Sequence, residues 1–458
     1  MKLKRFKGSI VSMGLAALIF GAAGSASAEF QYQCPRVGGA NNTGISNGIE
    51  LVDGVIPDNE AWNLRMNNKV CMHVTGSDGF ATMADGKRLY VFGFKDQTGV
   101  IHKNHLNRNS NFHKNELLKE MGEAVTQGIL GANQPSPPIS LNQDDDFFLT
   151  LTNPGMVLRP DLFDPHTVHY HGFPEASAQF DGVPETSISI NQAASITYWY
   201  NNAEPGTFMW HCHVEATEHM QMGMLGSLHV NPAQNKTGFG GNDATIAQLA
   251  GGAGPKGYVY NDGDGTTAFD VEKTILLGGY DGVFHDASEG VLPLPFAEME
   301  DNYPTINGRG YPDTVGTTDA VMTDFGDWQD FGTLNAPEQF RNTQPVNAIV
   351  SATAGERVLL RLTNLNVSRA FTIQLSGGLK MKLVGQDARI NRGRGLTDGK
   401  DLYHETSSIR VNGGSTHDLI IDTTGFAAGD YVLYTTNTNY LSNDQEDFGG
   451  IMTTITIN

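Results

Sequence analysis

Six of the fourteen histidines of this 458-residue chain, with one of its three cysteines, fall in two short stretches. The first reads His166-Thr167-Val168-His169-Tyr170-His171-Gly172. The second reads His211-Cys212-His213, followed by His219 and then Gly223-Met224. Imidazole and thiolate side chains are ligands for borderline and soft metal ions. Side chains alternate faces along a strand, so His169 and His171 share one face, His211 and His213 share one face, and Cys212 points the opposite way. A single extended segment can therefore serve two metal sites, one on each side.

The Cys212 side has a readable donor set. One thiolate, two imidazoles and a weak thioether are what a blue-copper electron-transfer site requires. Cys212 supplies the thiolate, His219 and Met224 come from the loop that follows, and His166 comes from the first stretch. Zinc is the chemical alternative for a Cys/His site, but it has no use for a long axial thioether or for flanking histidine pairs. The other side, with His169, His171, His211 and His213, is imidazole only and has room for more than one metal ion.

These stretches resemble the multicopper oxidase family of laccases, ascorbate oxidases and bacterial two-domain copper oxidases. The HxxHxHG pattern at 166–172 and the HCH…H…GM pattern at 211–224 carry the likeness. Asp181-Gly182-Val183-Pro184, Gly206-Thr207 and Pro304-Thr305-Ile306-Asn307-Gly308 add to it. The resemblance implies an all-β chain of two cupredoxin-like Greek-key β-sandwiches. It implies type 1 copper at His166, Cys212, His219 and Met224, type 2 copper at His169, and type 3 copper at His171, His211 and His213. It further implies that a reductant is oxidised at the type 1 copper, that Cys212, His211 and His213 form the catalytic path for its electrons, and that O2 is reduced to water.

Two departures from the family pattern stand out. Five residues separate His213 from His219, where most members have three. The second half of the chain reads Tyr434-Thr435-Thr436 where HCH would fall and Phe371-Thr372-Ile373-Gln374-Leu375 where the other histidine pair would fall, with Ile451 in place of the axial Met. Four histidines are thus present where a trinuclear copper cluster needs eight. A homo-oligomer joining two half-clusters across an interface restores the number. The alternatives are a periplasmic blue-copper electron carrier and a copper nitrite reductase-like enzyme. Against the second, His169 stands where that enzyme has a catalytic Asp, and no second-domain His stands out. His285, His404 and His417 read as structural or surface residues.

The elements around these residues are strands. Arg88–Phe92, Phe147–Thr152, Ile196–Tyr200, Val358–Leu362, Phe371–Leu375, Asp418–Asp422 and Tyr431–Tyr434 are short, rich in aromatic and β-branched residues, and bounded by Gly, Asn, Asp and Pro. Asn115–Thr126 is the one helix expected in the first half. The two halves end alike, at Gly206-Thr207-Phe208-Met209-Trp210 with 223–231 and at Gly429-Asp430-Tyr431-Val432-Leu433 with 450–458. This internal repeat argues for two copies of one sandwich. The expected units are a copper-binding domain over 61–232, a Gly/Asn/Asp-rich linker over 233–268 and a copper-free second domain over 269–458.

The N-terminus has the pattern of a signal peptide over 1–28, with basic Lys2, Lys4, Arg5 and Lys7, an apolar run from Ile10 to Ala23, and Ala26-Ser27-Ala28 before the cut. An irregular segment, 29–60, follows. Removing the four basic residues takes the formal charge from −20 to −24, a surface that disfavours nucleic acid and anionic membrane. No other apolar run is long enough to span a membrane. The expected location is periplasmic or extracellular, where Cys34 and Cys71 can form a disulfide. The expected partners are a small reductant or metal-ion substrate, O2 and a redox protein. Met209, Met220 and Met222 read as packing, and the acidic runs at 144–146 and 444–447 as solvated turns.

Overall fold

A computed structural model describes residues 64–66, 69–98, 125–235, 255–316, 343–393 and 399–458. The expected signal peptide, the 29–60 segment and most of the helix expected over Asn115–Thr126 lie outside these residues; 125–128 are helical.

The first half runs β1 (Leu64–Met66), β2 (Lys69–Thr82), β3 (Arg88–Asp96), β4 (Ile139–Asn142), β5 (Asp146–Asn153), β6 (His169–His171), β7 (Ala194–Asn201), β8 (Gly206–His211), helix α1 (Ala216–Met222) and β9 (Leu225–Asn231). One sheet has the order β1-β2-β5-β7 with β3 on β2, and the other β4-β9-β8-β6. Alternation decides what lies between them. Phe147, Leu149 and Leu151 of β5, Tyr198 and Tyr200 of β7, and Phe208 and Trp210 of β8 close one buried core. β3 is buried on both faces. Tyr90, Phe92 and Phe94 face this core, while Leu89 and Val91 pack with Tyr280 and Tyr303 of the second half.

The second half begins with a hairpin, β10 (Gly257–Tyr258) and β11 (Ala268–Phe269), inside the Gly-rich stretch. Val259, Tyr260 and Phe269 are buried there against Leu359, Val384 and Ile420, so this end of the stretch packs on the second sandwich. Then follow β12 (Val271–Tyr280), helix α2 (Gly282–Glu289), β13 (Tyr303–Ile306), β14 (Val350–Ala352), β15 (Arg357–Asn364), β16 (Phe371–Leu375), β17 (Met381–Gln386), β18 (Arg389–Ile390), β19 (His404–Thr406), β20 (Ser408–Val411), β21 (Ser415–Asp422), β22 (Gly429–Thr435) and β23 (Met452–Ile457).

The repeat seen in the sequence is a repeat of topology. In the first half β4-β9-β8-β6 are neighbours; in the second, β14-β23-β22-β16. The pair β4/β9 is parallel and β8/β9 antiparallel, as are β14/β23 and β22/β23. Gly206 opens β8 opposite Val230, Gly429 opens β22 opposite Ile457, and both glycines have φ 146°. The chain is all-β with cupredoxin-type sandwiches.

Polar groups join the halves behind β8. The Thr207 hydroxyl donates to Asp418 (2.5 Å) and accepts from the Arg361 guanidinium (3.1 Å), and Tyr260 donates to Asp418 (2.6 Å). Arg361 also pairs with Glu272 and is fully buried. A buried guanidinium of this kind is tolerated because two carboxylates and a hydroxyl meet it. Among the described residues, no helix is long and apolar enough to cross a membrane.

Candidate metal centre

The antiparallel pairing of β6 with β8 sets His169 opposite His211 and His171 opposite Met209. Tyr170 and Trp210 turn into the sandwich core, so the histidines turn away from it. The strand β8 ends at His211, two residues earlier than a continuous HCH strand would require. Alternation nevertheless continues, because backbone bonds hold the next two residues extended. Cys212 N–H donates to Met224 O (3.1 Å), and His213 N–H donates to the Thr167 hydroxyl (3.1 Å). Cys212 lies in the core with Trp210, and the His213 ring stacks against His211 at 5.6 Å.

On the core side, His166, Cys212 and His219 bring their ligand atoms within 4.8 Å of one another, and all three are buried. His219 Nδ1 lies 3.2 Å from Cys212 Sγ. Met224 is fully buried beside them: a Cβ at Gly76 would stand 2.9 Å from His166 Cδ2 and 3.2 Å from the Met224 methyl. Only a glycine on β2 lets that strand pass so close. Phe92 meets the His219 ring edge-on at 5.8 Å, and Phe94 stacks on Trp210 at 4.9 Å while facing His166. The five residues after His213 are accommodated by α1, which carries His219 on its buried face. Its last turn folds back, with Met224 N–H donating to His219 O at 2.8 Å.

The electrostatics favour a cation here. Burial opposes ionisation of the Cys212 thiol, but the charge of His219, aided by His166, holds its pKa well below the ordinary value. Burial likewise disfavours charge on His219, yet the Cys212 thiolate and Asp164 raise its pKa. Neither ring nitrogen of His166 has a hydrogen-bond partner, although both are buried. A buried polar atom left unpaired is costly, and a soft metal ion bound by thiolate and imidazole removes that cost. His219 Nε2 faces Asp164 Oδ2 at 3.6 Å, and Asp164, Glu215 and His219 form a second close group of donors leading outward.

On the opposite side, the ligand atoms of His169, His171 and His211 lie within 4.8 Å of one another, and the His213 ring is 5.0 Å from that of His169. Burial lowers the pKa of His169 and His171, and that of His211 to about 3, so these rings are neutral with lone pairs available. Backbone carbonyls orient two of them. His169 Nδ1 donates to Asp181 O (2.6 Å) and His211 Nδ1 to Cys212 O (2.7 Å), leaving each Nε2 for a metal. The Asp181-Gly182-Val183-Pro184 turn is what brings the first carbonyl in. Gly182 has φ 79°, and any Cβ there would run into the Val168 backbone. The second half forms a wall over this group: a Cβ at Gly414 would sit 3.3 Å from His171 Nε2, and the Asp387 charge bears on that ring.

The structure thus brings together His166, Cys212 and His219 with Met224 beside them, and separately His169, His171, His211 and His213. Gly76, Phe92, Phe94 and Asp164 were not legible as parts of the site, since none belongs to a ligand pattern: Gly76 comes from β2, Phe92 and Phe94 from β3, and Asp164 from the loop before His166. His285 is fully buried, His417 nearly so and His404 exposed. Met209 and Met222 are buried in apolar clusters. Cys71 is disulfide-bonded; Cys34 lies outside the described residues.

Paired cupredoxin sandwiches with a thiolate–imidazole–thioether set on one side of a histidine-flanked segment define a copper protein of the oxidase class. Multicopper oxidase signatures match residues 113–235 and 297–458. Multicopper oxidase MmcO of Mycobacterium tuberculosis is 24% identical over 263 residues, which are 56% of this chain and 42% of that protein, so the chain matches less than half of that relative's length. Among solved structures, the blue copper oxidase from Nitrosomonas europaea has a TM-score of 0.53 and 18% identity, covering 85% of this chain and 86% of that one. Multicopper oxidase mgLAC gives 0.52 and 18% at the same coverage. The chain belongs to the multicopper oxidase family.

Proposed function

We propose that this protein is an oxidase that accepts electrons from a reductant at a type 1 copper held by His166, Cys212, His219 and Met224, and passes them to O2 at copper held by His169, His171, His211 and His213. Copper supplies the one-electron steps, cycling between cuprous and cupric forms. The observation that carries this reading is the three-residue segment 211–213. Its thiol belongs to one donor group and its two imidazoles to the other, so covalent bonds alone link the two centres. His166 and Cys212 sit in a dry aromatic pocket that excludes water from the thiolate. His219 leads toward the surface through Asp164 and Glu215, which supports the approach of a reductant, a small molecule or a metal ion, from that side.

The histidine group takes four imidazoles from the first half, and among the described residues no second-half histidine joins it. We infer that a second copy of the chain completes the cluster. The partly exposed side of His169 is open to it. Secretion into the periplasm or beyond fits the disulfide at Cys71.

Electron paramagnetic resonance of the copper-loaded protein, with metal quantitation and O2 uptake, tests the reading. Type 1 and type 2 signals, a silent coupled pair and sustained O2 consumption are expected. A type 1 signal alone, with no O2 uptake, establishes an electron carrier instead, and nitrite-dependent NO release establishes a reductase. A monomer holding one copper overturns the shared cluster.

A further inference from the structure

The helix α2 belongs to the second half by sequence, yet its side chains enter the first. Phe284 is fully buried in the first-half core. Lys87 Nζ pairs with Asp286 at 2.6 Å, and the Arg159 guanidinium donates to Ser288 O. Asp281 caps the helix, accepting from Val283 N–H (2.8 Å) and Phe284 N–H (3.2 Å), which fixes where its first turn starts. His285 stands between these anchors and is fully buried.

Both nitrogens of the His285 ring meet backbone carbonyls of the first half: Nδ1 lies 2.5 Å from Tyr90 O and Nε2 3.0 Å from Gln221 O. Tyr90 is on β3, two residues before Phe92, the ring that packs on His219. Gln221 is on α1, two residues after His219 and three before Met224. The ring therefore joins the helix that carries His219 to the strand whose Phe92 packs on it. Tyr280 closes against it edge-on at 5.7 Å, which fixes its orientation.

We propose that His285 is the positioning residue of the type 1 centre. It sets the spacing between β3 and α1, and with it the placement of His219 and Met224 around the metal. The second half of the chain, which has none of the family's own copper positions, thereby tunes the copper of the first. The inference rests on the type 1 reading above. Residues one shell out from a metal typically change its affinity by about 10- to 100-fold when replaced.

The test compares His285→Leu, of similar volume without donors, with His285→Gln, whose amide can still donate to one carbonyl. Lys87→Met serves as the control, since it loosens the outer face of α2 without touching the ring. Each purified full-length protein is loaded with Cu(II). In His285→Leu the blue absorption band and the type 1 hyperfine splitting are expected to shift and copper affinity at that centre to fall about 10- to 100-fold, with the type 2 signal unchanged. His285→Gln should recover part of the change, and Lys87→Met should match the wild type. A folded His285→Leu with wild-type band, splitting and affinity overturns the proposal. So does an equal shift in Lys87→Met, which assigns the effect to helix docking at large. If His285→Leu does not fold, His285→Gln against Lys87→Met decides on the same readings. A wild-type protein with no blue band at all overturns the type 1 reading itself, and the inference with it.

Discussion

At the scale of single residues, the two metal groups depend on atoms that differ in kind. Cys212 is the only thiol of the described residues that is free, and it alone can supply the thiolate of the core-side group. Cys212→Ser should abolish the blue band while copper at His169, His171, His211 and His213 is retained. Absorption spectra with metal analysis check this, and loss of both kinds of copper would count against two separate sites. Gly76 is the second sensitive point. In Gly76→Ala the new methyl falls 2.9 Å from His166 Cδ2 and 3.1 Å from Phe94 Cε1. Both neighbours are buried rings, so the strain is not relieved by a flexible side chain. Overpacking of this sort costs about 1–3 kcal/mol, readable as a lower urea midpoint together with a displaced blue band.

At the scale of elements, the arrangement depends on β8 being held from behind. Arg361 on β15 reaches Thr207 on β8 and answers Glu272 and Asp418. Arg361→Met would leave two buried or half-buried carboxylates without their cation, at a cost of about 3–5 kcal/mol. Urea unfolding of the metal-free variant measures it, and an unchanged midpoint would mean that the carboxylates find other partners. The helix α1 shows how an insertion is absorbed. The five residues between His213 and His219 form a two-residue turn and the start of α1 instead of a bulge, and the helix end returns Met224 to the thiol through His219 O and Cys212 N–H. The sequence spacing announced a difference in this loop; its helical form depends on burial of His219, Gln221 and Met222 against the sandwich.

At the scale of the molecule, stability should fall in acid. Burial lowers the pKa of His73 and His229 from 6.5 to about 3. Between those values the unfolded chain binds protons that the folded one refuses, so folding weakens as pH drops below about 6.5. Asp96, raised by burial to about 6, works the other way between 3.8 and 6, and Glu175, raised by burial to about 7, does so between 4.5 and 7, but His211, lowered to about 3 like the other two histidines, keeps the balance on their side. Urea melts of the metal-free protein at pH 7 and pH 4.5 should give the lower midpoint at pH 4.5. Equal midpoints would show that these histidines are solvated in the folded state.

The histidine and cysteine clusters, the two-sandwich plan and the multicopper oxidase family could be read in the sequence because each rests on short-range patterns. Strand alternation, the clustering of His and Cys, and the Gly-led strand repeat are all properties of neighbouring residues. What brings Gly76, Phe92, Asp164 and Asp181 to those ligands is long-range pairing. β2 lies parallel to β5 and antiparallel to β3, and the 181–184 turn folds back onto Val168. No local pattern encodes such contacts. The same holds for His285, which by sequence was one isolated histidine. Its meaning comes from α2 crossing into the first sandwich, where the buried ring is wedged with one nitrogen against Tyr90 O and the other against Gln221 O.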